Sequence, residues 1–219
     1  ENLLFAANNL KSLGYGVYHY NLTDYYKKTR KNRYVNNMIY SANNYGAYLY
    51  YVDSVDIIHN TIVSGSATIP ASQVYSSTTK TIEDYDVRNN IIYSSGSFAI
   101  RTNMANNFIS HLDNNVYYTT GASLFSFNST VFADLAAYKV AQPSLNINSH
   151  EGDPIFVNVP NNLHVIGLLA NDAGDNSVGV LNDIDGDTRP IAGSTTVDIG
   201  ADEFNPATCF PPSSVAFTN

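Results

Sequence analysis

Four stretches of the chain share one order of apolar and polar positions. They are Val35-Asn36-Asn37-Met38-Ile39-Tyr40, Ile58-His59-Asn60-Thr61-Ile62-Val63, Val87-Arg88-Asn89-Asn90-Ile91-Ile92 and Leu112-Asp113-Asn114-Asn115-Val116-Tyr117. Each reads apolar, polar, Asn, any residue, β-branched, then apolar or aromatic. The shared asparagines, Asn37, Asn60, Asn89 and Asn114, lie 23, 29 and 25 residues apart, and Ala7-Asn8-Asn9-Leu10 is an imperfect fifth copy. A period near 25 residues holds three short strands and three turns. That is one coil of a parallel β-helix, with coils stacked ~4.8 Å apart. Strand alternation puts the residue two before the Asn and the residue two after it on one face. The expected inward stacks are therefore Val35, Ile58, Val87 and Leu112, and Ile39, Ile62, Ile91 and Val116. The four asparagines are expected at a bend, as a structural ladder whose linked amides avoid the ~1–3 kcal/mol cost of a buried, unsatisfied polar group. The longest interval contains residues 64–72, a turn-rich excursion expected to project from the side of the coils, and the basic loop is expected to project likewise.

The repeat resembles the pectate-lyase-like superfamily of right-handed parallel β-helices. A second resemblance covers residues 153–204. There Asp153-Pro154-Ile155-Phe156-Val157-Asn158, Leu163-His164-Val165, Asn171-Asp172-Ala173-Gly174, DIDGDTRP at 183–190 and DIGADEF at 198–204 follow one another. This order is similar to the C-terminal end of secreted bacterial β-helix proteins of the choice-of-anchor kind, common in the Bacteroidetes. The resemblances imply an all-β, right-handed parallel β-helix (a solenoid) over 1–152, N-terminally incomplete because the chain begins in mid-pattern. Residues 153–204 would form its C-terminal cap, with short strands at 155–157 and 197–199. A solenoid end exposes unpaired backbone and an apolar cross-section, so a cap has a physical purpose. Arg189 is expected to pin the cap by pairing with one of Asp183, Asp185, Asp187, Asp198, Asp202 or Glu203. Residues 205–219 read as a Pro-rich linker or the start of a following module of fibronectin type.

Composition narrows the picture. With 28 Asn and 17 Tyr and only 14% charged residues, the 219-residue chain suits many short strands and tight turns, and no segment reads as a helix. The net charge of -8 excludes a polyanion such as nucleic acid as a natural partner. The single basic cluster, Lys27-Lys28-Thr29-Arg30-Lys31-Asn32-Arg33, reads as a solvated loop. No run approaches the ~20 apolar residues that span a bilayer, so no membrane insertion is expected. Cys209 stands alone, which excludes a disulfide framework.

Three candidate sites follow. The residues preceding the ladder, His59, Arg88 and Asp113, could line one outward face as general base and charge stabilisers on a uronic-acid polymer. The alternative is an ordinary solvated row, and the nearby acids Asp53, Asp56, Glu83, Asp84 and Asp86 form no evident column with them. Asp183-Ile184-Asp185-Gly186-Asp187 places oxygen donors at alternate positions around a Gly turn, as a calcium loop does. It lacks the downstream bidentate Glu, and position twelve is Ser194, so a structural turn is the competing reading. Eleven tyrosines (Tyr15, Tyr18, Tyr20, Tyr25, Tyr26, Tyr34, Tyr40, Tyr45, Tyr48, Tyr50 and Tyr51) crowd the first quarter, either as a sugar-binding strip or as strand formers and interior stacks. Asp53-Ser54-Val55 also matches a short O-glycosylation pattern. The expected function is a non-catalytic extracellular or cell-surface module within a larger bacterial protein, acting in adhesion or glycan binding and needing no cofactor. Its expected partners are a polysaccharide or cell-surface glycan, neighbouring domains, and outer-membrane secretion or anchoring machinery. The alternatives are a polysaccharide lyase or hydrolase working on the helix flank, and a secretion cargo whose sorting domain lies beyond Asn219.

Overall fold

The computed structural model describes residues 3–20, 31–52, 54–75, 84–104 and 109–206. Tyr25, Tyr26, Asp53, Glu83, Cys209, most of the basic cluster and residues 207–219 of the expected linker lie outside them. The first coil carries β1 (Leu4–Ala6), β2 (Asn9–Ser12) and β3 (Val17–Tyr20), and the second β4 (Asn32–Val35), β5 (Met38–Ser41) and β6 (Ala47–Tyr50). The third carries β7 (Val55–Ile58), β8 (Thr61–Ser64) and β9 (Ser72–Tyr75), and the fourth β10 (Tyr85–Arg88), β11 (Ile91–Ser94) and β12 (Ile100–Thr102). The fifth carries β13 (Ile109–Asp113), β14 (Val116–Thr119) and β15 (Phe125–Phe127). Corresponding strands pair in parallel, giving sheets β1-β4-β7-β10-β13, β2-β5-β8-β11-β14 and β3-β6-β9-β12-β15. The chain is a parallel β-solenoid.

The core is made of columns, one residue per coil. Tyr34, Ile57, Val87 and Leu112 stack along the first sheet, with Phe5 packed on them. Leu10, Ile39, Ile62, Ile92 and Tyr117 form the matching column of the second sheet. The inward stacks expected from the repeat are corrected here. Val35 and Ile58 pair with Arg88 and Asp113, not with Val87 and Leu112, and Ile62 pairs with Ile92, not with Ile91. A gapless alignment chose the first Asn of Asn89-Asn90 and Asn114-Asn115 where the fold uses the second.

The asparagine ladder shifts accordingly. It runs Asn8, Asn37, Asn60, Asn90, Asn115: each backbone N–H and side-chain amide from Asn8 to Asn90 donates to the side-chain oxygen of the next asparagine. Ser149 Oγ ends the series by accepting from Asn115 N at 3.0 Å. Asn89 and Asn114, expected in the ladder, occupy the bend before it with φ of 58° and 50°, in register with Ala7, Asn36 and His59, all left-handed. Asn tolerates that conformation better than most residues.

The end of the solenoid and its flank are covered by different segments from those expected. The last coil is closed by β16 (Thr130–Phe132), antiparallel to β15, and by α1 (Leu135–Ala141). That helix contradicts the helix-free reading of the sequence. It is only two turns long, with Asp134 accepting from Ala137 N at its start, and it is held by burial of Leu135 and Tyr138. The Tyr138 ring packs 4.9–5.2 Å from those of Phe125, Phe127 and Phe132.

Residues 153–204 do not cap this end. They pass back and forth along the outer face of the second sheet, touching every coil. Asn114 Nδ2 donates to Ala173 O, Asn89 exchanges bonds with the Asp175 backbone, Ala201 N donates to Thr61 Oγ1, Asn36 Nδ2 donates to Asn182 O and Lys11 Nζ donates to Asn161 Oδ1. Apolar contacts join these hydrogen bonds. Val165, Ala170, Ile199 and Phe204 pack with Ile91 and Val116, while Leu163 and Ala201 pack with Met38 and Val63. Within this cover only β18 (Phe156–Asn158) and β19 (Asn162–Val165) form a hairpin; 197–199 is not a strand. β17 (His150–Glu151) extends the second sheet where the chain turns into the cover. Gly200 needs its φ of +108°, and a Cβ there would lie 2.7 Å from Ile91 Cδ1. Residues 64–72 are a closed turn inside the coil rather than a projection: Ser66 Oγ accepts from Thr68 and Ile69, and Ala71 N donates to Phe98 O.

Candidate functional site

Of the three residues proposed as a lyase-like cluster, Arg88 and Asp113 are register neighbours and His59 lies apart, and each is engaged in internal bonds. His59 is fully buried under the cover; Asn89 Nδ2 donates to Nε2 at 2.9 Å, so Nδ1 carries the proton and donates to Gly200 O at 3.2 Å. Burial, and then the charge of Arg189, pushes the imidazole well below its ordinary pKa, so it is neutral. Arg88 grips Asp86 with Nε and Nη2 at 2.7 and 2.6 Å, and Asp175 with Nη1 at 2.7 Å. Its hydrogen bonds to Asp86, opposed by burial, push its pKa further up. Asp113 accepts from the backbone of Asn114 and Asn148 and from Asn148 Nδ2, closing a turn. Arg88 and Asp113 share one row, and His59 lies in the next.

The first sheet does carry a charged row that sequence reasoning missed. Arg33, Asp56, Asp86 and His111 are in register, and Lys31 bridges Asp56 and Asp84 at 2.9 and 3.1 Å. Asp56 and Asp86 each stand four residues before a true ladder asparagine, so only the corrected register aligns them. The acids of this row are neutralised by Lys31, Arg33 and Arg88, the pattern of a structural ion-pair network.

The DIDGD run is a turn. Asp183 Oδ1 accepts from Asp185 N and Asp187 N, and Oδ2 accepts from Glu203 N, which leaves it committed to backbone. Asp187 is exposed, and Asp185 reaches His164 instead. Arg189 pairs with Glu203 at 2.8 Å, both side chains wholly buried, and also donates to Gly200 O at 3.0 Å. Burial drives Arg189 down and Glu203 up, with their mutual attraction opposing both. Asp198 instead accepts from Asp172 N and Phe204 N.

Among the described residues, the tyrosines form an extended surface feature not absorbed by internal bonding. In β3, β6 and β9 the alternation sends Val17, Ala47, Leu49, Ser72 and Val74 inward and Tyr18, Tyr20, Tyr48, Tyr50, Gln73 and Tyr75 outward. Parallel register then builds two rows, Tyr18–Tyr48–Gln73–Arg101 and Tyr20–Tyr50–Tyr75. Ring centroids are 5.3 Å apart for Tyr18–Tyr48, 5.2 Å for Tyr20–Tyr50 and 5.1 Å for Tyr50–Tyr75, following the strand spacing. Tyr15 and Tyr45, in the turns before β3 and β6, stack at 5.8 Å and join the first row, where Tyr45 lies 4.7 Å from Tyr48. Tyr51, at φ 57°, sets its ring 4.0 Å from that of Tyr50 and accepts the Tyr50 hydroxyl at 3.1 Å. Eight rings thus make one patch, half-exposed over Tyr45, Tyr48, Tyr50, Tyr51 and Tyr75 and open at Tyr15, Tyr18 and Tyr20. Tyr34 faces the core and Tyr40 lies beneath the cover, while Tyr75 falls outside the tyrosine-rich quarter and was found only by register.

Burial, and then the neighbouring phenols, pushes Tyr48 up to about 12, and the bond to Tyr51 leads the upward shift of Tyr50. The face therefore offers apolar ring surface, stacked and partly shared, fringed by hydroxyls that donate and accept at any physiological pH. Compared with known proteins, the chain matches no family model, and no curated protein or solved structure resembles it significantly. Among the described residues no helix is long and apolar enough to cross a membrane.

Proposed function

We propose that this chain is a non-catalytic extracellular module, a right-handed β-helix of pectate-lyase-like kind within a larger bacterial surface protein, that binds a glycan chain across the tyrosine face of its third sheet. The observation that carries the reading is the eight-ring patch, three tyrosines in the first coil, four in the second and one in the third. A polysaccharide repeats along its length and alternates apolar C–H surface with hydroxyls. A surface that repeats ring and hydroxyl across the first three coils answers both properties. The extracellular assignment is supported by the resemblance of residues 183–190 and 198–204 to secreted β-helix proteins. The engagement of His59, Arg88 and Asp113 in internal bonds favours holding a polymer over cutting one.

The test is co-sedimentation with insoluble polysaccharides, and affinity electrophoresis with soluble ones including pectate and alginate. The ultraviolet absorbance of unsaturated products is followed in parallel. Retention without product, weakened about tenfold by Tyr48→Ala with Tyr20→Ala, is the expected result; each ring contributes on the order of 0.5–1.5 kcal/mol beyond its area. Product formation that survives the tyrosine substitutions but not Arg88→Ala would replace binding with lyase chemistry.

A further inference from the structure

Three parts of the cover converge at one point away from the tyrosine face. His164 in β19, Asp185 in the DIDGD turn and Asp202 in the DIGADEF segment present one donor atom each, all within 4.8 Å of one another. His164 Nε2 lies 2.7 Å from Asp185 Oδ2 and 4.0 Å from Asp202 Oδ1. The other ring nitrogen settles what Nε2 can do. Nδ1 is held by Asn162 Oδ1, an oxygen that also accepts the His164 backbone N–H at 3.0 Å and so acts as an acceptor. Nδ1 therefore carries the proton, and in the neutral ring the Nε2 lone pair faces two carboxylates. Such an outer-shell oxygen on the far nitrogen is also the usual support of a metal-binding imidazole.

Charge supplies an independent argument. Asp202 is only 8% exposed; it accepts from the Val165 backbone and feels the charge of Arg189, but among the described residues no lysine or arginine forms an ion pair with it or with Asp185. Two carboxylates, one nine-tenths buried, meet a lone pair with no fixed cation between them. We propose that a divalent transition-metal ion of the zinc type binds here, held by His164 Nε2, Asp185 and Asp202 with a fourth position open to water. Donor atoms around a tetrahedral ion at ~2.1 Å stand roughly 3.4 Å apart, a value bracketed by the 2.7 and 4.0 Å separations. An imidazole in the set selects this class over calcium, which takes oxygen ligands throughout. The half-exposed His164 and exposed Asp185 leave an entry path. The ion ties the β18–β19 hairpin to the two turns that follow it, so that docking of the cover responds to metal. This is a different metal assignment from the Asp183, Asp185, Asp187 set that the sequence suggested, sharing only Asp185.

The experiment is thermal and urea unfolding of the EDTA-stripped chain with zinc, cobalt or calcium chloride, together with the visible absorption of the cobalt form. Zinc and cobalt should raise the midpoint. At about 100 times its Kd, zinc shifts the folded-to-unfolded ratio by about 100-fold. His164→Gln should abolish the shift and the cobalt bands, and Asp185→Asn, in an exposed turn, should weaken them without loss of fold. No zinc effect on the wild-type chain, an effect that both variants retain, or a calcium effect matching that of zinc would each overturn the assignment. A midpoint that rises on acidification and ignores metal would show that a proton on Nε2 fills the gap instead. Polysaccharide retention is unaffected in either case, so this result and that of the tyrosine face are separable.

Discussion

Replacing Asn60 with alanine attacks the ladder at its centre. Asn60 is fully buried; Oδ1 accepts from Asn37 N at 3.1 Å and Asn37 Nδ2 at 2.8 Å. Nδ2 donates to Tyr34 O, Ile58 O and Asn90 Oδ1 at 2.8, 3.1 and 3.0 Å. Truncation leaves the Asn37 backbone N–H without its side-chain acceptor, at ~1–3 kcal/mol, and deletes four further bonds at ~0.5–1.5 kcal/mol each, not fully additive. The expected loss is about 4 kcal/mol. With an m-value of ~3 kcal/mol/M, the urea midpoint falls by ~1.3 M. Asn8→Ala is the internal control. Asn8 is half-exposed and its side chain donates only to Ala6 O and Asn37 Oδ1, so ~1 kcal/mol and ~0.3 M are expected. A midpoint for Asn60→Ala no lower than that of Asn8→Ala would show that a buried rung contributes no more than the half-exposed first one. The same assay checks the register. Asn114→Gly suits the left-handed backbone and loses one bond to Ala173 O, whereas Asn115→Gly removes a rung. The second should be costlier by several-fold.

Gly200→Ala forces a Cβ to 2.7 Å from Ile91 Cδ1 at a φ of +108°; ~2–4 kcal/mol of destabilisation, with new dye binding as the cover lifts from Met38, Val63 and Ile91, is expected in thermal melts. Burial pushes the Asp198 carboxyl up to about 7, against ~3.9 in an unfolded chain. The fold therefore keeps a proton that the unfolded chain gives up, so this group's contribution is complete below pH ~4 and is lost as pH rises through about 7. The stability advantage of the wild type over Asp198→Asn should narrow across that window by on the order of 2 kcal/mol, measured by urea unfolding at each pH. An advantage that widens with pH would contradict this assignment. Glu203→Gln leaves Arg189 buried without its partner and should cost ~3–5 kcal/mol in the same assay.

The solenoid was legible because its columns are written once per coil. The run from Ile57 to Ile62 alone gives two core residues, a bend and a rung. What misled was degeneracy. Asn89-Asn90 and Asn114-Asn115 offer two adjacent candidates for one rung, and their chemical identity hides that one bends while the other bonds. That single-residue slip also concealed the Asp56–Asp86 alignment and drew His59 into a row with Arg88 and Asp113. Composition found the tyrosines but not their arrangement, since Tyr20, Tyr50 and Tyr75 come together only through parallel register. The α1 helix left little trace because Leu135 and Tyr138 are its only buried residues. The sequence places residues 153–204 at the end of the solenoid as a cap, whereas their apolar residues pack along its flank. Val63, Ile91 and Val116, the outward apolar positions they cover, are the same residue types that line the core.

The course of the cover along all five coils changes how the coils depend on one another. In a simple repeat array each unit feels only its immediate neighbours, and terminal units fray independently. Here one strap, through Ala173, Asp175, Ala201, Asn182 and Asn161, engages the fifth, fourth, third, second and first coils. Fraying at either end must peel the strap, which couples distant coils into one cooperative transition. The order of synthesis adds a timing constraint. Met38, Val63, Ile91 and Val116 all precede the strap, so a chain emerging from its N-terminus displays a greasy stripe until residue 204 has followed. Completion of that last stretch works as a latch, and before it closes the nascent coils are the state most in need of a chaperone.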